Sequence, residues 1–191
     1  MRRSFSFLVV HFFQLVVCSL FFVRFTLAQT SVDMRAIVSL KKMFGDSVSV
    51  ASKNIRLTPA DKDSLAHLTN FAWIGDSIHA YACQVNGAAV GYGFVDDVKG
   101  KTQYITYLTA VKPDGKIRDI DVLAYRESYG GEIAYESFRK QFREKSSADK
   151  LQPGKDIKNI SGATISVHAI TAGVKKILYA FNLLRPRLDR Q

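Results

Sequence analysis

From residue 31 onward the apolar positions switch between a helical and a strand spacing. Met34, Ile37, Val38 and Leu40 recur at helical intervals, which predicts a short helix over 31–44 closing near Gly45. Residues 48–57 alternate loosely and predict a strand. Thr58-Pro59-Ala60-Asp61 combines a cap, a proline at the first helical position and an acid in the first turn, so a helix should run to about 68. His67 falls on that helix and reads as a surface or packing residue. The period then drops to two. A strand over 78–85, a turn at Asn86-Gly87 and a return strand over 90–95 make a hairpin. Gly91 and Gly93 share one face of the return strand and mark a bulge or a close neighbour. Lys99-Gly100-Lys101 is a turn, 104–111 a third strand rich in β-branched and aromatic residues, and 117–125 a fourth after the turn at 112–116. Strands in succession with short links imply an antiparallel meander. A helix is expected over 133–142. A last helix is expected over 162–184, with Ile165 or Val167, Ile170, Val174, Ile177 or Leu178, and Phe181 on its buried stripe. The fold class is therefore α+β, an antiparallel sheet packed with helices in a single domain.

The first residues carry a different signal. Arg2 and Arg3 precede a mostly apolar run over 5–23, and Thr26-Leu27-Ala28 has the small-x-small form that signal peptidase cuts. Residues 1–28 read as a secretory signal cleaved after Ala28. The alternative is a retained membrane anchor, because the run is nearly long enough to span a bilayer. His11, Gln14 and Arg24 weaken it as a span. Both readings put the remaining chain outside the cytoplasmic membrane, since the two arginines stay inside. The expected organisation is then 29–84 as helices and first strands flanking the core, 85–184 as the core and 185–191 as a tail.

Charge and cysteine content narrow the chemistry. The formal charge is +10. Without Arg2, Arg3 and Arg24, 24 basic residues remain against 17 acidic ones, a balance of +7. Such a surface suits nucleic acid, an anionic membrane or an anionic cofactor. The basic residues are scattered and the chain carries an export signal, so a nucleic-acid role is not supported. Cys18 lies in the leader, which leaves Cys83 without an internal disulfide partner. No Cys-x-x-Cys-His and no paired-cysteine spacing occur, so attached haem, zinc and iron–sulfur centres are not expected. Cys83 reads as a small buried residue in a strand. No nucleophile elbow, His-Glu-x-x-His or nucleotide fingerprint is present.

One stretch stands apart. Ser161-Gly162-Ala163-Thr164-Ile165-Ser166 opens the last helix. Ser161 is placed to be the N-cap. Gly162 and Ala163 have almost no side chain, so a ligand can approach the backbone. The first-turn N–H groups and the positive end of the helix dipole suit a phosphate, and Thr164 adds a hydroxyl there. The same spacing also fits an ordinary capped helix. A second stretch, Glu127-Ser128-Tyr129-Gly130-Gly131, follows the fourth strand, and its adjacent glycines suit a tight loop or a plain connection.

Residues 160–166 resemble the flavinylation motif of the FMN-binding domain family, which includes the periplasmic flavin subunits of the Rnf and sodium-pumping quinone reductase complexes. The resemblance runs from about 85 to 184, with meander, loop, helix, motif and final helix in the same order. It implies that Thr164 is joined to the phosphate of FMN by a phosphoester, made by a flavin transferase from FAD. Ser161, Gly162, Ala163 and Ser166 would surround the attachment. The family's Glu-Thr-Pro-Gly-Leu-Gly segment beside the isoalloxazine corresponds to the second stretch. Glu127, Ser128 and Gly130 match it, while Tyr129 stands for the proline and Gly131 for the leucine. Tyr129 would stack on the ring. His168, four residues after Thr164 and on the same helical face, is placed to reach the phosphate or ring edge. The family's usual aspartate six residues before the threonine is Lys158 here, with Asp156 two residues earlier. The implied protein is an electron carrier rather than an enzyme with its own small substrate. Its partners would be the transferase and redox proteins or a membrane electron-transport complex. Lys158 favours a second reading, an exported module that holds FMN or another phosphorylated ligand without a covalent bond. A third is a degenerate domain with no ligand.

Overall fold

The computed structural model describes residues 31–69 and 75–189. The expected leader over 1–28 lies outside the described residues.

Residues 31–44 form helix α1, closed at Gly45 in a left-handed conformation (φ 109°). Strand β1 (Ser49–Arg56) and helix α2 (Pro59–Thr69) follow, then β2 (Ser77–Val85), β3 (Ala88–Lys99), β4 (Tyr104–Val111) and β5 (Ile117–Ala124). All five strands join one sheet in the order β1-β2-β3-β4-β5, each pair antiparallel. The meander is therefore the one that the short turns require. Asn86 and Gly87 both take positive φ (50° and 78°), the geometry that matches a two-residue link to the twist of its strands. Thr58 and Asp61 cap α2 reciprocally: the Asp61 amide donates to Thr58 Oγ1 at 3.2 Å, and the Thr58 amide to Asp61 Oδ2 at 2.7 Å.

Helix α4 (Thr164–Leu188) crosses one face of the sheet. It buries Val167, Ile170, Val174, Ile177, Leu178, Phe181 and Leu184 in a single core with Tyr92, Phe94, Ile105 and Tyr107. Val167, not Ile165, belongs to the stripe. Gly173 lets the helix lie close to the sheet: a Cβ there would come within 2.4 Å of the Tyr107 hydroxyl and 2.6 Å of Val98 Cγ1. From residue 36 onward, α1 packs on the opposite face. A Cβ on Gly91 would sit 2.2 Å from the Phe44 ring, and one on Gly93 2.8 Å from Leu40. The close neighbour anticipated for this glycine pair is thus α1. A bulge is present as well, between Cys83 and Gln84 opposite Gly91.

Three expectations need correction. The predicted helix over 133–142 is broken into a 3-10 turn (Gly131–Ala134), a single α-turn α3 (Glu136–Arg139) and a second 3-10 turn (Lys140–Phe142), with Tyr135 extended between the first two. Ile133, Phe138 and Phe142 are all buried. In one continuous helix Ile133 and Phe138 would point about 140° apart, so the break at Tyr135 brings both to the core. Second, α4 begins at Thr164 rather than 162 and runs to Leu188, so the expected tail from 185 continues the helix. Leu188 is buried, Lys53 donates to its carbonyl at 2.7 Å, and Arg187 binds Asp61 at 2.6 Å. Third, the boundary expected at 84/85 falls in the β2–β3 hairpin, and β1 and β2 belong to the same sheet as the rest.

Cys83 lies fully buried in β2, and burial pushes its thiol up to about 12. Native protein should leave Cys83 unlabelled by iodoacetamide at neutral pH. Denatured protein should label it fully, as read by peptide mass.

Candidate cofactor-binding site

The motif turn is built by Gly162. Its φ of 80° is one that side-chain-bearing residues rarely adopt, and it lets the Ala163 amide bond back to the Ile160 carbonyl at 3.0 Å. That turn delays the helix. Ala163 becomes the N-cap residue and no side chain caps the terminus. Ser161 is therefore not the cap; it is exposed in the turn before Gly162. Thr164 is the first helical residue and its side chain is exposed. The ladder starts with the Val167 amide on the Ala163 carbonyl at 2.9 Å, so the amides of Thr164, Ile165 and Ser166 precede it.

This first turn forms one wall of an open cleft of about 510 Å³, within the usual range for a cofactor pocket. Gly162, Ala163, Thr164, Ile165 and Ser166 line that wall. The other is made by Lys101 and Thr102 from the β3–β4 turn and by Glu127, Ser128 and Tyr129 after β5. The structure thus brings together two stretches that lie more than thirty residues apart in sequence.

Glu127 has a role that its sequence position did not suggest. Its carboxylate accepts from the Thr102 hydroxyl at 2.6 Å and from the Thr102 and Gln103 amides at 2.7 and 3.0 Å. Gly100 completes the clamp, since a Cβ there would sit 2.5 Å from Glu127 Oε1. These donors, the Thr102 hydroxyl foremost, pull the Glu127 carboxyl from its ordinary 4.5 to about 2. A depressed folded value means the clamp is at full strength above pH about 4.5 and fades as pH falls through about 2. Glu127→Gln, which keeps one acceptor oxygen, should speed hydrogen exchange at the Thr102 and Gln103 amides at pH 7. Unchanged exchange would show that the carboxylate does not hold the turn.

Tyr125 ties the two walls. Its hydroxyl donates to the Tyr129 carbonyl and lies 3.0 Å from Ser166 Oγ. With the phenol proton committed to the carbonyl, Ser166 is the donor to Tyr125. Ser166 is buried, so this bond also satisfies it. Gly130, at φ 91°, lets the loop lie on the helix start: a Cβ would come 2.7 Å from the Tyr125 hydroxyl and 3.2 Å from Ala163 Cβ.

Of the residues expected at the site, Gly162, Ala163, Thr164, Ser166, Glu127, Ser128 and Tyr129 line the cleft. Ser161, Gly130, Gly131 and His168 do not. Gly130 supports the loop from behind, and Gly131 starts the 3-10 turn. His168 is exposed one turn along α4, outside the lining. Tyr129 is 85% exposed, a ring standing free at the rim. Lys101, Thr102 and Ile165 were missed. The turn holding Lys101 was legible, but its place opposite Thr164 depends on the Glu127 clamp, which spans about 25 residues and has no local signal. Lys158 is exposed; its amide donates to Gln141 at 2.7 Å. Asp156 does not take its place, because its carboxylate accepts from Lys145 and the Leu151 and Gln152 amides within its own loop.

A second concavity, of about 350 Å³, lies beside α1 and β5. Its carboxylates are engaged by neighbours: Asp119 by Arg143, Asp121 by Ser39 and Glu136 by Arg143. It is an ion-pair network apart from the motif cleft.

Residues 100–179 match the family model described as the FMN-binding domain. All ten cleft-lining residues fall inside that match. A relative from Clostridium ljungdahlii, described as one subunit of a proton-translocating ferredoxin:NAD(+) oxidoreductase complex, is 36% identical over 104 residues. The match covers 50% of this chain and 56% of that protein, so it spans little more than half the relative's length.

Proposed function

We propose, from the premise that this chain carries a domain of the FMN-binding family, that it is an exported electron-transfer flavoprotein with FMN bonded to Thr164. The observation that carries this reading is the position of Thr164: a free hydroxyl at an uncapped helix N-terminus, opening onto a cleft of cofactor size. Thr164 Oγ would displace AMP at the phosphorus of the FMN half of FAD. One P–O bond of the diphosphate breaks, the Thr164–O–P bond forms, and the hydroxyl proton is released. A flavin transferase supplies the catalysis. The amides of Thr164, Ile165 and Ser166 and the helix dipole favour the remaining phosphate charge by roughly 0.3–1 kcal/mol.

The bound flavin supplies the redox chemistry, and the protein's task is to hold it and set its surroundings. Tyr129 and Ser128 offer the surface against which a flat ring lies, and Ile165 offers apolar contact from the helix side. Outside the cytoplasm a reversibly held cofactor is lost by dilution, and a covalent bond prevents that. A leader over 1–28 would place the domain at the outer face of the cytoplasmic membrane or in the periplasm. The relative's membership of an oxidoreductase complex supports a membrane electron-transport complex as the partner.

The test is co-expression with an active flavin transferase, followed by a denaturing gel viewed for flavin fluorescence. A fluorescent band at the protein's mass is expected. Lys158 in place of the acid favours the second reading, a module that holds a phosphorylated ligand without a covalent bond. That reading predicts flavin released on denaturation and a dark band.

A further inference from the structure

The cleft holds one cation whose role nothing so far explains. Lys101 is the single Lys or Arg among the ten residues lining it. The neighbouring basic residues are occupied. Lys99 Nζ donates to the Thr102 carbonyl at 2.7 Å and sits 5.0 Å from the centre of the Tyr104 ring. Arg126 donates to the Tyr104 carbonyl and the Thr106 hydroxyl, both at 3.3 Å. The Lys101 ammonium has no such tie among the described residues. Its backbone, by contrast, is fixed on both sides. The Gly100 amide donates to the Gln103 carbonyl at 2.9 Å, and Glu127 grips Thr102 and Gln103.

The carboxylate and the ammonium here differ in availability. The cleft's one acid, Glu127, spends its oxygens on the turn. The cleft's one cation is left over. A tether at Thr164 puts the phosphate at the opposite wall, where backbone amides already meet it. The negative charge left for Lys101 is therefore on the ring. An isoalloxazine that took two electrons from a redox partner and one proton from solvent would carry one negative charge, shared between N1 and the C2 carbonyl. We propose that Lys101 is the positioning cation for that charge, seated by the Glu127 clamp, and that it raises the flavin's reduction potential. This rests on the function proposed above.

The experiment is spectroelectrochemical titration, with dithionite as reductant, of flavinylated wild type, Lys101→Met and Lys101→Arg. Loading is checked separately by fluorescence on a denaturing gel. Lys101→Met is expected to favour the oxidised flavin about tenfold, which for a two-electron couple is a fall of about 30 mV. It should also raise the pH at which the reduced ring takes its second proton. Lys101→Arg should restore both. A purely structural Lys101 would move neither potential nor pH break. A flavinylated Lys101→Met with the wild-type potential and pH break overturns this role alone. A wild type with no flavin after co-expression overturns the proposed function and this role with it.

Discussion

Thr164→Ala, co-expressed with an active flavin transferase, should carry no flavin through denaturation, while wild type carries one per chain. Under the proposed attachment the hydroxyl is the bonding atom, so the effect is all or none. Neighbouring hydroxyls do not substitute for it. Ser161 is exposed in the turn before Gly162 and outside the cleft lining, and Ser166 is buried with its proton committed to Tyr125. Thr164→Ser keeps an oxygen on the same first-turn position and should retain flavin, though less completely, because a serine side chain samples more rotamers. Intact-protein mass reads both outcomes. The fold should not be at stake, since Thr164 is exposed and a first-turn threonine without a side-chain cap contributes little to helix stability. Near-identical circular dichroism and melting of Thr164→Ala and unflavinylated wild type would confirm that. A full flavin adduct on Thr164→Ala would place the bond elsewhere and remove the proposed attachment.

The fold was largely legible because its signals are local. Period-two runs, the Asn86-Gly87 turn and the capped start at Thr58 each act over a few residues, and all appear where the pattern put them. What failed was long-range. The stretch after Gly130 has helical propensity, yet burying Ile133, Phe138 and Phe142 together required a break at Tyr135. Ser161 has the chemistry of an N-cap, yet the left-handed Gly162 set the helix start two residues further on. The site shows the same division. Thr164 and its neighbours were legible as a helix N-terminus, a local motif that the family resemblance, rather than the spacing, set apart from an ordinary capped helix. Lys101 and the true task of Glu127 were not, because they depend on two loops meeting after the sheet has formed. Tyr125 belongs with them: at the end of β5 it looks like one more aromatic strand residue, and only the tertiary fold brings its hydroxyl to Ser166.

Phe181→Ala should produce the largest loss of stability among single substitutions away from the cleft. The ring is fully buried where α4 meets β3, 5.4 Å from the Tyr92 ring and edge-on to Phe94 at 6.2 Å. Truncation removes the transfer free energy of the ring and leaves a cavity that helix and sheet cannot close, since Gly173 already holds them in contact about two turns away along α4. The expected cost is about 3–5 kcal/mol. For a domain of this size that lowers the melting temperature by roughly 6–20 °C. The lesion is also remote from the cleft. Seventeen residues separate Phe181 from Thr164 along α4, about 25 Å at the helical rise. Below its lowered transition the variant should therefore still accept flavin at Thr164, with the wild-type fraction loaded. Thermal melting and gel fluorescence on one preparation separate the two properties. An unchanged melting point would mean that α4 is not seated on β3 through this ring. Lost flavinylation in protein that is still folded would mean that the far end of the helix governs the attachment site.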